Sequence, residues 1–337
     1  MGVTIKDIAK RANVSIATVS RALSGKNKFN SEKTIKKIQA LAKEMGYRKN
    51  TAAVELVTRS SKVLAVIVSA TKTNFANPII DGIHEEAYKH DLNVIISYAG
   101  EKEPQRQYEA IKTIIERSVK GILLLALDLS ESSYKLLSES EIPYIFLSIS
   151  NNRNIPFIAS NDYLIGYQAT NYLIGQGHKN IALAGLDTNS YIGKQRIAGY
   201  RKALIENKLV LRPEWITNGL FTYDDGLKTM KYFGKNPKIT AVIACSDLVG
   251  LGIANQAVSL GLHVPTDLSI ITIDGTNLCN LVRPTLTSLT QDFHQMGILG
   301  TKYLIGNDKN THYSKFIDVK IEKRKSDCPL TRNNKLS

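Results

Sequence analysis

The chain has 337 residues, of which 43% are apolar and 22% charged, and carries a formal net charge of +14. That length holds two or three domains with a substantial core, and no run approaches the ~18 consecutive apolar residues that would span a membrane. The start is polar and amphipathic, without the apolar centre of a signal peptide. Cys245, Cys279 and Cys328 are too few and too far apart for a disulfide framework or a metal cluster, so a reducing cytoplasm is the expected setting.

The first elements are two short helices. Thr4 followed by Asp7 predicts a capping box, with Ile5, Ile8 and Ala9 as one apolar stripe. Ser15 is a strong N-cap for a second helix, whose apolar side is Val14, Ala17, Val19 and Leu23. Ala12, Asn13 and Val14 remain as the turn, with Asn13 suited to a left-handed backbone; this is helix-turn-helix spacing. A third helix starts at Ser31, buries Ile35, Ile38, Leu41, Ala42 and Met45, and ends at Gly46, which completes a three-helix unit over residues 4–47. The next stretch, Tyr47 to Ser61, holds a short helix-capable segment over 51–57 that lacks a partner and should fray alone.

Charge follows this division. Residues 1–60 hold 13 Lys and Arg against 4 Asp and Glu, a net of +9, and residues 320–337 add a net of +4. A basic head on a near-neutral body is the pattern expected of a chain that neutralises nucleic-acid phosphates.

Beyond Lys62 the apolar runs "VLAVIV" (63–68), "NVIIS" (93–97), "GILLLAL" (121–127), "PYIFLS" (143–148), "IALAG" (181–185), "AVIAC" (241–245) and "LSIITID" (268–274) read as strands. They alternate with helical stretches near 78–90, 104–118, 162–176, 193–207, 224–234 and 247–260. Near-continuous apolar strands between helices predict parallel sheets covered on both faces. This beat runs too long for one doubly wound domain, so two lobes are expected, divided near Ala159–Asp162. Ligands of such folds bind beyond the carboxyl ends of the strands, here in a cleft able to close by hinge motion.

Taken in order, "TIKDIAKRANVSIATVSRAL", "SEKTIKKI", "MGYRKN", "AAVEL", "NPIIDGIHEEA", "GHKNIAL", "QRIAGYRKAL", "AVIACSDLVGLGI", "VPTDLSIITIDG", "LTSLTQDFHQMG" and "VKIEKRKS" make the chain resemble a full-length LacI/GalR-type bacterial transcriptional repressor. The resemblance implies an all-α helix-turn-helix head, an α/β body of two doubly wound lobes like a periplasmic binding protein, and a cytoplasmic homodimer on a palindromic double-stranded DNA operator. It puts Ser15, Ile16, Ala17, Thr18, Ser20 and Arg21 on the recognition helix, and Thr4, Ser31, Thr34, Tyr47, Asn50 and Ala53 among the other DNA contacts. Leu56 falls on a minor-groove wedge that would unstack a base step. Ile16 and Ala17 can touch a thymine methyl but donate no hydrogen bond, which makes Arg21 the expected guanine reader. Lys49 and Val54 stand where many relatives carry proline and arginine.

The same resemblance implies a small effector, usually a sugar, between the lobes. Arg196 falls where relatives clamp effector hydroxyls, and Asp274 ends a strand where it would accept from hydroxyls. Phe221 and Phe75 are the expected ring-stacking residues, with Ser69, Ser148, Ser246, Asp247 and Gln291 as further candidates at strand ends. The expected division is a head over 1–48, a hinge over 49–61, an N-terminal lobe over 62–160 plus about 291–325, a C-terminal lobe over 161–290, and a polar tail over 326–337.

Other classes fit less well. A sugar-transport protein would need an export signal and no basic head. The six histidines show no ligand or triad spacing, and "GLDTNSYIGK" lacks the glycine and Lys-Ser/Thr ending of a phosphate loop, so no enzyme, cofactor or metal is expected. A corepressor-dependent or protein-partnered carbon regulator stays open beside a sugar-released repressor. No leucine heptads close the chain, so a dimer is expected.

Overall fold

The computed structural model describes residues 3–24, 30–47, 61–69, 74–100, 103–117, 119–150, 155–306 and 313–330. The chain divides into two compact units, Met1–Ser60 and Ser61–Ser337.

The first unit holds α1 (Ile5–Ala12), α2 (Ile16–Leu23) and α3 (Glu32–Glu44). The Asp7 carboxylate accepts from the Thr4 N–H at 2.8 Å and the Thr4 hydroxyl at 2.7 Å, which holds Asp7 below the usual carboxylate range. Asn13 takes the left-handed backbone (φ 56°, ψ 49°) that turns the chain into α2. Ser15 caps α2 by accepting from Thr18 N at 3.1 Å, and Ser31 caps α3 by accepting from Thr34 N at 3.3 Å. Ile8, Val19 and Ile38, one from each helix, are fully buried against one another with Ala12, Ala22 and Ala42. Short helices of this length are marginal alone, and this shared apolar centre is what stabilises them.

The second unit contains two sheets. The first has the order β11-β5-β4-β3-β1-β2, all parallel, from β1 (Val63–Val68), β2 (Asn93–Tyr98), β3 (Gly121–Leu125), β4 (Tyr144–Leu147), β5 (Phe157–Ser160) and β11 (Ser314–Ile317). The second has the order β12-β10-β9-β8-β6-β7, from β6 (Ile181–Leu186), β7 (Ile216–Asn218), β8 (Ala241–Ala244), β9 (Ser269–Asp274), β10 (Thr287–Gln291) and β12 (Val319–Glu322). Only β12 runs antiparallel to its neighbour β10 among the described pairings. Ala65 and Ile67 of β1 pack on one side with Leu124 and Phe146, while Leu64 and Val66 pack on the other with Leu123 and Ile145. Both faces of these strands are covered, which is why their sequences are apolar without alternation.

Helices α4 (Ala76–Lys89), α5 (Pro104–Glu116), α6 (Glu131–Glu139) and α12 (Phe293–Ile305) flank the first sheet; α7 (Asp162–Gly175), α8 (Tyr191–Glu206), α9 (Tyr223–Phe233), α10 (Asp247–Ser259) and the short α11 (Leu278–Leu281) belong to the second. The helix pair α7 and α8 touches backbone to backbone. A Cβ on Gly166 would lie 2.2 Å from the Arg196 carbonyl oxygen, and one on Gly199 would lie 2.0 Å from that of Tyr163. These two glycines bring Arg196 close beside Asp162.

Three crossovers join the lobes. The chain passes from β5 to α7 through Asn161, from β10 back to α12 through Asp292, and from β11 to β12 through Asp318. The third crossing corrects the expected division, which places residues 319–325 in the N-terminal lobe, whereas β12 pairs with β10 of the second sheet. The expected polar tail is corrected over its described residues, 326–330. Ser326 is fully buried, its Oγ donating to the Ile270 carbonyl at 2.6 Å and accepting from Thr287 N at 2.9 Å. Asp327 accepts from Tyr172 Oη at 2.8 Å, Gln176 Nε2 at 2.6 Å and the Thr287 hydroxyl. Strands β5, β7, β10, β11 and β12, and helices α6, α11 and α12, are additions to the sequence reading. Most of the strands are short or polar, and a four-residue run carries little periodicity.

Candidate functional site: the recognition helix and the interlobe cleft

On the head, Ser15, Ile16, Ala17 and Ser20 are exposed along α2, and Thr18 and Arg21 are half-buried. Ile16 is 46% exposed, an apolar side chain presented to solvent at the first turn of the helix. Thr18 is partly committed to the cap, its hydroxyl 2.8 Å from that of Ser15, and Arg21 Nε donates to the Ala17 carbonyl at 3.2 Å. Thr4 and Ser31 are exposed at the starts of α1 and α3, Thr34 shares a 2.8 Å hydroxyl contact with Ser31, and Tyr47 packs against the head core. Asn50, Ala53 and Leu56 lie outside the described residues, as does the expected hinge helix.

In the body, a cavity of about 190 Å³ opens between the two sheets. It is built where strands end and the backbone leaves its ordinary range. Ala126 after β3 (φ 51°), Ser148 after β4 (φ 66°), Phe221 after β7 (φ 61°) and Asp274 at the end of β9 (φ 115°) all line it. Non-glycine residues rarely hold positive φ, and such costs gather at functional sites.

Of the residues singled out from the sequence, Ser69, Phe75, Ser148, Arg196, Phe221, Asp274 and Gln291 line this cavity. Arg196 enters from the first turns of α8 and is 5% exposed; its Nε donates to Asp162 Oδ1 at 2.8 Å and its Nη1 to the Cys245 carbonyl at 2.7 Å. Burial pushes the Asp162 carboxyl up and the guanidinium opposes it; at this distance the two form an ion pair. Gln291 Nε2 donates to Asp274 Oδ1 at 3.0 Å. Asp274 is raised well above the usual carboxylate range by burial and then by nearby Asp247, with Arg196 opposing. The Phe221 ring lies 5.8 Å from the Arg196 guanidinium, and Phe75 stacks on Phe293 with centroids 5.2 Å apart. Aromatic faces with a few convergent donors and acceptors are the usual lining of a small-molecule pocket.

Ser246 and Asp247 are corrections, since neither lines the cavity. β8 runs directly into α10, so Ser246 is spent as its N-cap, accepting from Val249 N at 3.1 Å while donating to the Phe221 carbonyl at 2.8 Å. Asp247 accepts from Thr272 Oγ1 at 2.7 Å, Gly275 N at 3.2 Å and Thr276 N at 2.6 Å. Both hold the Phe221 and Asp274 turns in place from behind.

The sequence reading missed Asp162, Asp187, Ser190, Gln107, Asp128 and Phe293 on the wall. Asp187 follows β6 and was within reach of the same strand-end argument. Gln107 sits inside α5 with no local signal, and its amide donates to the Asp128 carbonyl at 3.2 Å.

Residues 4–50 match the family of bacterial regulatory proteins, lacI family, and residues 61–307 match periplasmic binding proteins and sugar binding domain of LacI family. The chain is 31% identical over 335 residues to catabolite control protein A of Priestia megaterium, covering 97% of this chain and 99% of that protein. A transcription regulator from Lactobacillus plantarum superposes with a TM-score of 0.73 at 46% identity, over 80% of this chain and all (100%) of the other. The lac repressor dimer bound to operator and the anti-inducer ONPF superposes with a TM-score of 0.85 over 97% of this chain and 99% of that one; its 24% identity speaks for the fold alone. With its helix-turn-helix head and its two-sheet body with a cavity between the sheets, the chain belongs to the LacI family of bacterial transcriptional regulators.

Proposed function

We propose that this protein is a cytoplasmic homodimeric repressor of a carbohydrate-utilisation operon, bound to a palindromic operator and released when a small sugar enters the interlobe cleft. The observation that carries the reading is the cavity wall: strand-end residues at positive φ meet a buried Arg196–Asp162 pair and an Asp274–Gln291 pair. Sugar hydroxyls both donate and accept, so they suit an acceptor carboxyl beside a guanidinium edge, and their apolar faces suit Phe75 and Phe221.

On DNA, α2 is the element assigned to the major groove. Arg21 reads guanine, Ile16 and Ala17 contact thymine methyls, and Ser15, Thr18 and Ser20 hold phosphates or base edges. Leu56 is the minor-groove wedge of a hinge helix that forms on specific DNA. A second copy covers the free edge strand β2, where Tyr98 is 72% and Ile96 41% exposed. No catalytic role is assigned to any residue.

A second reading, a corepressor-dependent or protein-partnered carbon regulator, is favoured by the similarity to catabolite control protein A over nearly the whole chain. One experiment separates them. Operator binding is measured by mobility shift with and without each monosaccharide that raises the melting temperature of the body. Weakened binding supports the sugar-released repressor, strengthened binding the corepressor reading, and the absence of a stabilising sugar removes the sugar-released repressor.

A further inference from the structure

The second sheet closes at β7, which pairs with β6 and, among the described strands, with no other. Such a free edge presents backbone N–H and C=O groups to which another strand can add. Helices α8 and α9 cover opposite faces of the sheet beside it. Tyr200 and Leu204 of α8 pack with Ile181 and Leu183 of β6, whereas Met230 of α9 packs with Ala182 and Ala184. A groove runs between β7 and each helix. Lys194, Arg201, Ile205 and Ile216 line the one beside α8; Thr217, Lys228 and Tyr232 line the one beside α9. Ile205 is 66% and Tyr232 63% exposed, so each groove holds a large uncovered side chain. The side chains of Lys194, Arg201 and Lys228 make no ion pair among the described residues. The nearby carboxylates are already taken, Glu206 by Lys202 at 3.0 Å and Glu214 by Arg212 at 3.7 Å.

We propose that the β7 edge is a docking site for an extended, acidic segment of a partner protein, which adds to the second sheet as a further strand. Side chains of an added strand alternate between the two faces of a sheet. Successive residues therefore enter the α8 groove and the α9 groove in turn. β7 shows the same alternation: Ile216 packs with the α8 side, and Thr217 places its hydroxyl 2.8 Å from that of Thr229 on α9. In this mode of recognition the backbone ladder gives affinity and the grooves give selectivity. With only 3 residues in β7 the ladder is short, so the groove contacts carry much of the binding. Aspartate or glutamate meets Lys194 and Arg201 on one side and Lys228 on the other, and the planar fork of Arg201 can hold a carboxylate by two bonds. Apolar residues cover Ile205 and Tyr232. The same cations disfavour a second copy of this chain, because a two-fold pairing of β7 with β7 brings like charges face to face. Nucleic acid would match the charge but has no backbone ladder to offer β7. The proposal stands apart from the cleft and does not depend on which effector fills it.

A phage-displayed library of random peptides is selected on the full-length protein, with excess random-sequence DNA duplex present to occupy the basic head. The enriched peptides are then made with a fluorescent label. They are expected to carry Asp or Glu around neighbouring apolar residues. Their affinity, read by anisotropy, should fall at least tenfold in Arg201→Glu and in Lys228→Glu, one from each groove, and should weaken as salt rises. Lys315→Glu, an equal change of charge on the edge strand β11, should leave it unaltered. All three side chains are exposed, so an unchanged melting temperature confirms that each variant folds. Hydrogen exchange at the amides of 216–218 should slow when peptide binds. Enrichment of no acidic peptide, affinity that survives either reversal, or protection confined to the helices overturns the proposal. So does a tenfold loss of non-specific duplex binding in Arg201→Glu, which would make the grooves a nucleic-acid surface. Protection of 216–218 that grows with protein concentration in the absence of peptide would give the edge to a second copy and overturns it too.

Discussion

Asp274 shows how a carboxyl on the cavity wall can cost stability. Its carboxyl sits well above its ordinary value because burial and Asp247 both disfavour the charge. In the unfolded chain it would titrate near ~3.9. Between that value and its raised native value, the folded protein holds a proton that the unfolded chain has released, so this group subtracts stability as pH rises through the window. Asp274→Asn is therefore expected to raise the melting temperature at pH ~8, with the gain fading as pH falls toward ~4. Thermal unfolding across that range checks it, and a gain independent of pH would contradict burial as the cause. Arg196 behaves oppositely. Arg196→Ala leaves Asp162 buried and unpaired, so it should destabilise the body by about 3–5 kcal/mol as well as abolish the sugar response. Removing both partners, as Asp162→Asn with Arg196→Met, should recover much of that stability in urea unfolding while the response stays lost.

Among the elements, the head helices were legible because each carries its own punctuation. Thr4 with Asp7, Asn13, Ser15, Ser31 and Gly46 satisfy or terminate helix ends through contacts within a few residues. The central strands were legible from their unbroken apolar runs. Strand β12 was assigned to the wrong lobe because "VKIE" has no local feature that chooses between two sheets; its partner β10 lies about thirty residues away in sequence. The hinge segment belongs to the same scale. A helix of one or two turns needs a partner to persist, and under the proposed function two copies meeting on the minor groove would supply one. Leu56→Ala is expected to lose operator preference by about 1–3 kcal/mol, with little change in non-specific binding because no charge is removed. Competition titrations with operator and random duplex check this, and full retained preference would remove the wedge.

For the whole molecule, the three crossovers at Asn161, Asp292 and Asp318 are the places where one lobe can turn against the other, and the cavity lies between those lobes. The segment after the last crossover then fastens the second sheet. Ending the chain at Lys325 would strip Ser326 from Thr287 N and from the Ile270 backbone, and Asp327 from Tyr172 and Gln176. Each buried group left unpaired costs about 1–3 kcal/mol, so the truncated protein should unfold at clearly lower urea; an unchanged midpoint would mean that the segment is dispensable. By itself, the amino-acid sequence determined the basic three-helix head and the alternation of strand and helix, which follow from periodicity, caps and charge acting over a few residues. The family and the cleft candidates Arg196, Asp274, Ser148 and Phe221 came from a resemblance that runs along the whole chain. Only the tertiary structure decided that Ser246 and Asp247 face inward, that Asp162 pairs with Arg196, that Gln107 and Asp187 reach the cleft, and that residues 319–330 close the second lobe. Those outcomes depend on which groups distant segments bring to one another's buried polar atoms, and no local pattern encodes that meeting.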